Sequence, residues 1–232
     1  MSAGTPVIAV CGLAREAAIA AGPGIVTVVG GGNGQRLARL LDEALARGAR
    51  GVMSFGIAGG LAPGLAPGSL VIGESIVAGE ERYLADLRWR GRVAAALPQA
   101  RLATIAGVER AAADRAAKQA LHGATGAAAV DMESHIAARL AASRGLPFAA
   151  LRAIADPDER DLPPAALLAL KPDGSPDLRA VLLSLIRRPA QLPGLVSLAF
   201  DARAAFAALL RSRRALGPGV FPDLGDPMLD MT

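Results

Sequence analysis

For its first 155 residues the chain alternates short, continuously apolar runs with alanine-rich stretches of helical period, and this alternation restricts its fold more than any other feature. A run without polar interruption must be covered on both faces, which suits the strands of a sheet held between helices. Such runs fall at residues 7–10, 25–29, 52–55, 70–77, 101–106, 128–130 and 148–154, and helices are expected at 35–47, 110–121 and 132–143. In the first of these helices Leu37, Leu40, Leu41, Ala44 and Leu45 share one face, with Arg36, Arg39, Glu43 and Arg47 elsewhere. Strands alternating with helices predict a layered α/β domain around a central mixed β-sheet.

Beyond Asp156 the texture changes. Seven prolines between positions 157 and 193 cut the chain into helical pieces, the longest expected at 195–216 with Leu195, Leu198, Ala202, Phe206, Leu209 and Leu210 in one stripe. Its last turn carries Arg211, Arg213 and Arg214, where the helix dipole favours cations. Residues 1–216 are expected to form a single domain, and 217–232, rich in proline and acid, a loosely held tail.

Several function classes fall away on composition. Hydrophobic residues make up 52% of the 232 but aromatics only 3%, so the apolar character is aliphatic. The formal charge of +4 is concentrated: six arginines and one acid, Asp201, give +5 between residues 180 and 216, so the remainder sums to −1. No aromatic platform or docking motif accompanies that patch, and a nucleic-acid partner is not expected. Residues 51–73 are uncharged and long enough to cross a bilayer, but seven glycines with Pro63 and Pro67 divide them into strand, loop and strand. Lipid would leave the loop amides unsatisfied. The N-terminal residues lack a basic flank before a long apolar stretch, so the chain is expected to be cytoplasmic rather than secreted. Cys11 cannot close a disulfide within the chain, and with His122 and His135 it has no metal-ligand spacing, so no metal is expected.

Three constellations could carry chemistry. Glycine turns follow the first three strands, at Gly12, at Gly30-Gly31-Gly32-Asn33-Gly34 and at Gly56-Ile57-Ala58-Gly59-Gly60. Each alone serves as tight-turn chemistry, but together at neighbouring strand ends they would bare backbone donors towards one shared ligand. At the next junction Met132 and Glu133 stand where a strand meets a helix. Glu133 either complements the helix dipole or accepts both hydrogen bonds of a vicinal diol, with Met132 as an adaptable apolar neighbour. Asp156 ends an apolar strand before Pro157, as a turn residue or as a general acid, and Arg152 within that strand is expected to pair with a carboxylate.

These residues resemble the nucleoside phosphorylase and nucleosidase superfamily. The resemblance rests on SFGIAGGLAPGLAPGSLVIGESIV (54–77), AVDMES (129–134) and LPFAALRAIADP (146–157). GLAREA (12–17), VDMESHIAARLA (130–141) and DLPPAALLALKPDGSPDL (161–178) are similar to its hopanoid-associated branch, which acts on adenosylhopane. The resemblance implies a three-layer fold and cleavage of an N-glycosidic bond, with Asp156 protonating adenine N7 and Met132 and Glu133 holding the ribose. It further implies inorganic phosphate as co-substrate with no bound cofactor, and a homo-oligomer. Gly12, Gly32, Ile57, Ala58 and Gly59 would donate to the nucleophile, and Arg15 is the candidate countercharge for phosphate. Within the family, nucleosidases place a water-binding glutamate after the first strand; counting from Gly12 puts Ala17 there, with Glu16 beside it. Some phosphorylases carry an arginine where this chain has Ser54, a serine or threonine on phosphate where it has Gly31 and Ile57, and Ala155 replaces a serine often found before the acid.

Three readings stay open at this stage: phosphorolysis of adenosylhopane, hydrolysis of a methylthioadenosine- or adenosylhomocysteine-type nucleoside, and non-catalytic binding of a nucleoside or lipid. Tyr83, Phe55 and Phe148 are the aromatic candidates for contact with a base. Arginines and leucines of the C-terminal helix suggest peripheral contact with an anionic membrane, against the simpler reading of an amphipathic helix packed on the sheet.

Overall fold

The first strand, β1 (Val7–Cys11), shows why the sheet is covered twice. Val7, Ala9 and Cys11 enter one apolar core while Ile8 and Val10 enter the other, so alternate side chains are buried on opposite faces. The computed structural model describes residues 5–167, 174, 175 and 177–220. After β1 come α1 (Ala14–Ala20), β2 (Ile25–Val29), α2 (Gly34–Ala46), β3 (Gly51–Gly60), β4 (Leu70–Ala78), β5 (Glu81–Leu84), α3 (Leu87–Ala96) and β6 (Arg101–Gly107). Then follow α4 (Arg115–Thr125), β7 (Ala129–Asp131), α5 (Ser134–Ser143), β8 (Phe148–Asp156), α6 (Pro164–Leu167), α7 (Leu178–Arg187) and α8 (Leu192–Val220).

The sheet is mixed, as the alternation implies. β2, β1, β3 and β8 run parallel, β4 is antiparallel to β8, and β3, β8, β4, β6 and β7 pair in a closed circuit. One face packs on α1, α3 and α8 through Trp89, Phe206 and Leu209, and the other on α2 and α5 through Leu37, Leu41, Leu45 and Ile136. The strand–loop–strand reading of residues 51–73 holds, since β3 and β4 flank a loop.

Three elements escape the apolar pattern. β5 is a polar edge strand paired only with β4, α1 has seven residues and exposed alanines, and α3 carries three arginines in ten residues. The longest helix also differs from its expected stripe. Phe206 and Leu209 are core residues, Leu195, Leu198 and Ala202 are half-buried, and Leu210 is exposed. Its helical backbone breaks at Gly217, whose φ is 57°, and most of the expected tail, residues 221–232, lies outside the described residues.

Candidate active site

The ends of β1, β3, β7 and β8, with the glycine turn after β2, open on one cavity of about 660 Å³. Gly12, Gly32, Ile57, Ala58, Gly59, Met132, Glu133 and Asp156 all line it, so the three sequence constellations converge on one place. In α/β sheets this is where ligands collect, outside the carboxyl ends of parallel strands.

Glu16 corrects the reading that put Ala17 at the nucleophile position. Its carboxylate lines the cavity at 1% exposure, while Ala17 packs into the core. The reason is local: α1 starts at Ala14, so its first turn swings residue 16 back over the strand end. Oε2 accepts from the amides of Gly12 (2.8 Å) and Leu13 (2.9 Å), and Oε1 from that of Ile57 (2.7 Å). Two amides expected to meet the nucleophile, those of Gly12 and Ile57, therefore already serve a carboxylate. Arg15 is corrected as well. It is exposed, and its guanidinium lies 4.2 Å from the centroid of the Phe206 ring rather than in the cavity.

Arg152 is fully buried and pairs with carboxylates, as expected. Its Nε is 2.7 Å from Asp131 Oδ2 and its Nη1 is 3.7 Å from Glu133 Oε2, while Nη2 donates to the hydroxyls of Ser54 and Ser134. Ser134 also donates to Asp131. Close approach explains two glycines: a Cβ on Gly56 would sit 2.6 Å from both Arg152 Nη1 and Glu16 Oε1, and one on Gly12 would sit 2.8 Å from Glu133 Oε1.

Glu16, Asp131 and Glu133 thus surround one guanidinium, so that three carboxyl groups face a single buried cation. Burial raises the Glu133 carboxyl to about 8, with Asp131 and Glu16 adding to the rise against the pull of Arg152; burial also raises Glu16. The sign follows. A folded-state value above the ordinary 4.5 means that stability is highest at low pH and is lost as pH climbs towards 8. Glu133→Gln is expected to remove that slope, gaining about 2 kcal/mol relative to the wild type between pH 6 and pH 8 in urea unfolding.

Asp156 stands at the end of β8, 8% exposed, with its carboxyl raised by burial and held back by Lys118. Lys118, from α4, is fully buried. Its Nζ donates to Asp156 Oδ2 at 2.6 Å, to the carbonyl of Pro157 at 2.7 Å and to that of Arg160 at 3.0 Å, which uses all three of its protons. Sequence reasoning missed this residue. Where Ala155 offers Asp156 no hydroxyl, α4 supplies it with an ammonium donor. None of the aromatic candidates lines the cavity: Phe55 is in the core, and Tyr83 and Phe148 border a separate groove beside α5. Aliphatic residues such as Val108, Val130 and Leu162 line it instead.

Residues 2–187 match the sequence model of the Phosphorylase superfamily. The chain belongs to this family. Among solved structures, the S-adenosylhomocysteine nucleosidase of Streptococcus pyogenes, in complex with 5-methylthiotubericidin, superposes with a TM-score of 0.64 at 15% identity, covering 94% of this chain and 100% of that one. The 5′-methylthioadenosine/S-adenosylhomocysteine nucleosidase of Neisseria meningitidis gives 0.64 at 15% identity over 90% and 97% of the two chains. The futalosine hydrolase of Helicobacter pylori gives 0.61 at 14% over 90% and 97%. At these identities the likeness is one of fold. No curated protein matches the sequence. Within the Phosphorylase superfamily, the cavity at the strand ends is thus the candidate site for nucleoside chemistry.

Proposed function

We propose that this member of the superfamily is a cytoplasmic nucleosidase that hydrolyses the N-glycosidic bond of a 5′-substituted adenosine, with adenosylhopane as the substrate its sequence resemblance implies. The observation that carries the reading is the carboxylate of Glu16 beside Arg152 and Glu133, in the cavity that Asp156 also lines.

Glu133 accepts hydrogen bonds from the ribose hydroxyls, and Met132 packs against the sugar. Asp156 Oδ1, the oxygen left by Lys118, donates its proton to adenine N7 as the bond from C1′ to N9 breaks, so the base leaves neutral. Water attacks C1′ and passes its proton to Glu16. The products are adenine and a ribose with a free anomeric hydroxyl. An oxocarbenium-like transition state is cationic, and the carboxyl groups in excess around Arg152 stabilise it electrostatically as they ionise. The same excess opposes phosphate. Arg15 is turned away, and the Gly12 and Ile57 amides already hold Glu16. The homo-oligomer implied by the family resemblance belongs to the same proposal.

Adenine release from a 5′-substituted adenosine, followed with and without phosphate, tests the nucleophile. Equal rates and a reducing sugar in phosphate-free buffer are expected. A requirement for phosphate, with ribose 1-phosphate chemistry in the product, would overturn hydrolysis in favour of phosphorolysis.

A further inference from the structure

From Asp177 to Ala204 no described residue is buried, although the stretch is largely apolar. On α7, Arg179, Leu182, Leu183 and Ile186 follow one another at helical spacing, and on the first turns of α8 so do Leu192, Val196, Phe200 and Arg203. Ile186 is 77% exposed, Phe200 67% and Leu182 59%, which is unusual for several large apolar side chains within one short stretch of chain. The turn that joins the two helices, Pro189–Gln191, is tied to α6 and α7. Gln191 accepts from the amide of Ala165 on α6 (3.0 Å) and donates to the Ser184 carbonyl on α7 (2.8 Å).

The charge on this surface has one sign. Arg179, Arg187, Arg188 and Arg203 are exposed, whereas Asp177 caps α7 through the amide of Ala180 and Asp201 pairs with Arg160. A twofold contact with a second copy would set arginines against arginines, since such an interface meets itself. An anionic surface complements it instead. By length and apolarity α8 could cross a bilayer, but Ala205, Phe206, Ala208, Leu209 and Leu216 in its second half are built into the core. The helix can therefore lie on a membrane but not span one.

We propose that α7 and the opening turns of α8 form a docking surface for an anionic lipid bilayer, with the leucines, Ile186 and Phe200 entering the acyl boundary and the arginines meeting headgroup phosphates. This moves the membrane contact away from Arg211, Arg213 and Arg214. Those residues lie within the core-packed half of the helix, between Leu209 and Leu216, and Arg213 donates to the carbonyl of Ala20 at the end of α1.

Co-sedimentation of the full chain with vesicles of phosphatidylcholine alone, and of phosphatidylcholine with phosphatidylglycerol, tests the surface without reference to the reaction. Binding is expected only to the anionic vesicles and should weaken as salt rises. Ile186→Glu with Phe200→Glu should abolish it, Arg187→Gln and Arg188→Gln should each weaken it about fivefold, and Arg211→Gln with Arg214→Gln should leave it unchanged. Sedimentation velocity and thermal melts of the same variants check assembly and folding. Absence of vesicle binding by the wild type, or equal binding by all well-folded variants, would overturn the proposal. So would loss of an oligomer in the Ile186→Glu, Phe200→Glu chain, which would assign the face to a second copy. Neither result would bear on adenine release.

Discussion

Asp156→Asn is expected to lower adenine release by about 10²–10⁴-fold, the range typical of a positioned proton donor. The substitution is nearly isosteric, and an amide oxygen can still accept from Lys118, so the fold and the cavity should persist. What is lost is the proton. Adenine would have to depart as an anion from a site already lined by Glu16, Asp131 and Glu133, where a further negative charge is least welcome. Equilibrium binding of an unreactive nucleoside analogue should change little, because the proposed ribose contacts belong to Met132 and Glu133. Single-turnover kinetics beside a binding isotherm separate the two effects. Unchanged turnover would remove Asp156 from the chemistry, and a wild type that binds but never turns over would return the non-catalytic reading.

Much of this site is legible in sequence because it is built from strand ends. Glu133 and Asp156 sit at junctions where an apolar run stops, and burial on both faces fixes which residue of each strand reaches the rim. Glu16 is harder. Whether residue 16 or 17 enters the cavity depends on where α1 begins, and a seven-residue helix of alanines with no side-chain cap leaves no periodic signal to set that phase. Counting from Gly12 selected the wrong neighbour by one position, which on a helix is a rotation of about 100°. Lys118 gives no signal at all. It stands 38 residues before its partner, in a helix of alanines and polar residues, and lysine is ordinarily a solvated side chain. The tip of α7 and α8 failed in the opposite sense. An apolar stripe in sequence reads as a core-facing helix, and only the packing shows that its first half is at most half-buried while its second half enters the core.

Lys118→Met is expected to cost about 3–5 kcal/mol of stability at neutral pH, the usual consequence of removing one partner of a buried ion pair. The loss is not only that of an attraction. The carbonyls of Pro157 and Arg160 lose their buried donor, and the Asp156 carboxylate is left in a site whose burial already raises its affinity for a proton. Without the ammonium that affinity rises further. The sign can be read in two ways. In unfolding, the penalty should shrink as pH falls, because a protonated Asp156 no longer needs a countercharge; urea titrations at pH 5 and pH 8 measure the difference. In catalysis, the protonated acid is the working form, so activity declines as pH rises through its titration, and removing Lys118 should carry that decline to higher pH. A purely structural lysine would lower stability without moving the pH profile. Combining Lys118→Met with Asp156→Asn should recover part of the lost stability, since the orphaned charge is gone, but none of the lost turnover. Lys118 would then be a positioning residue, one that sets how readily Asp156 releases its proton while the proton itself belongs to Asp156.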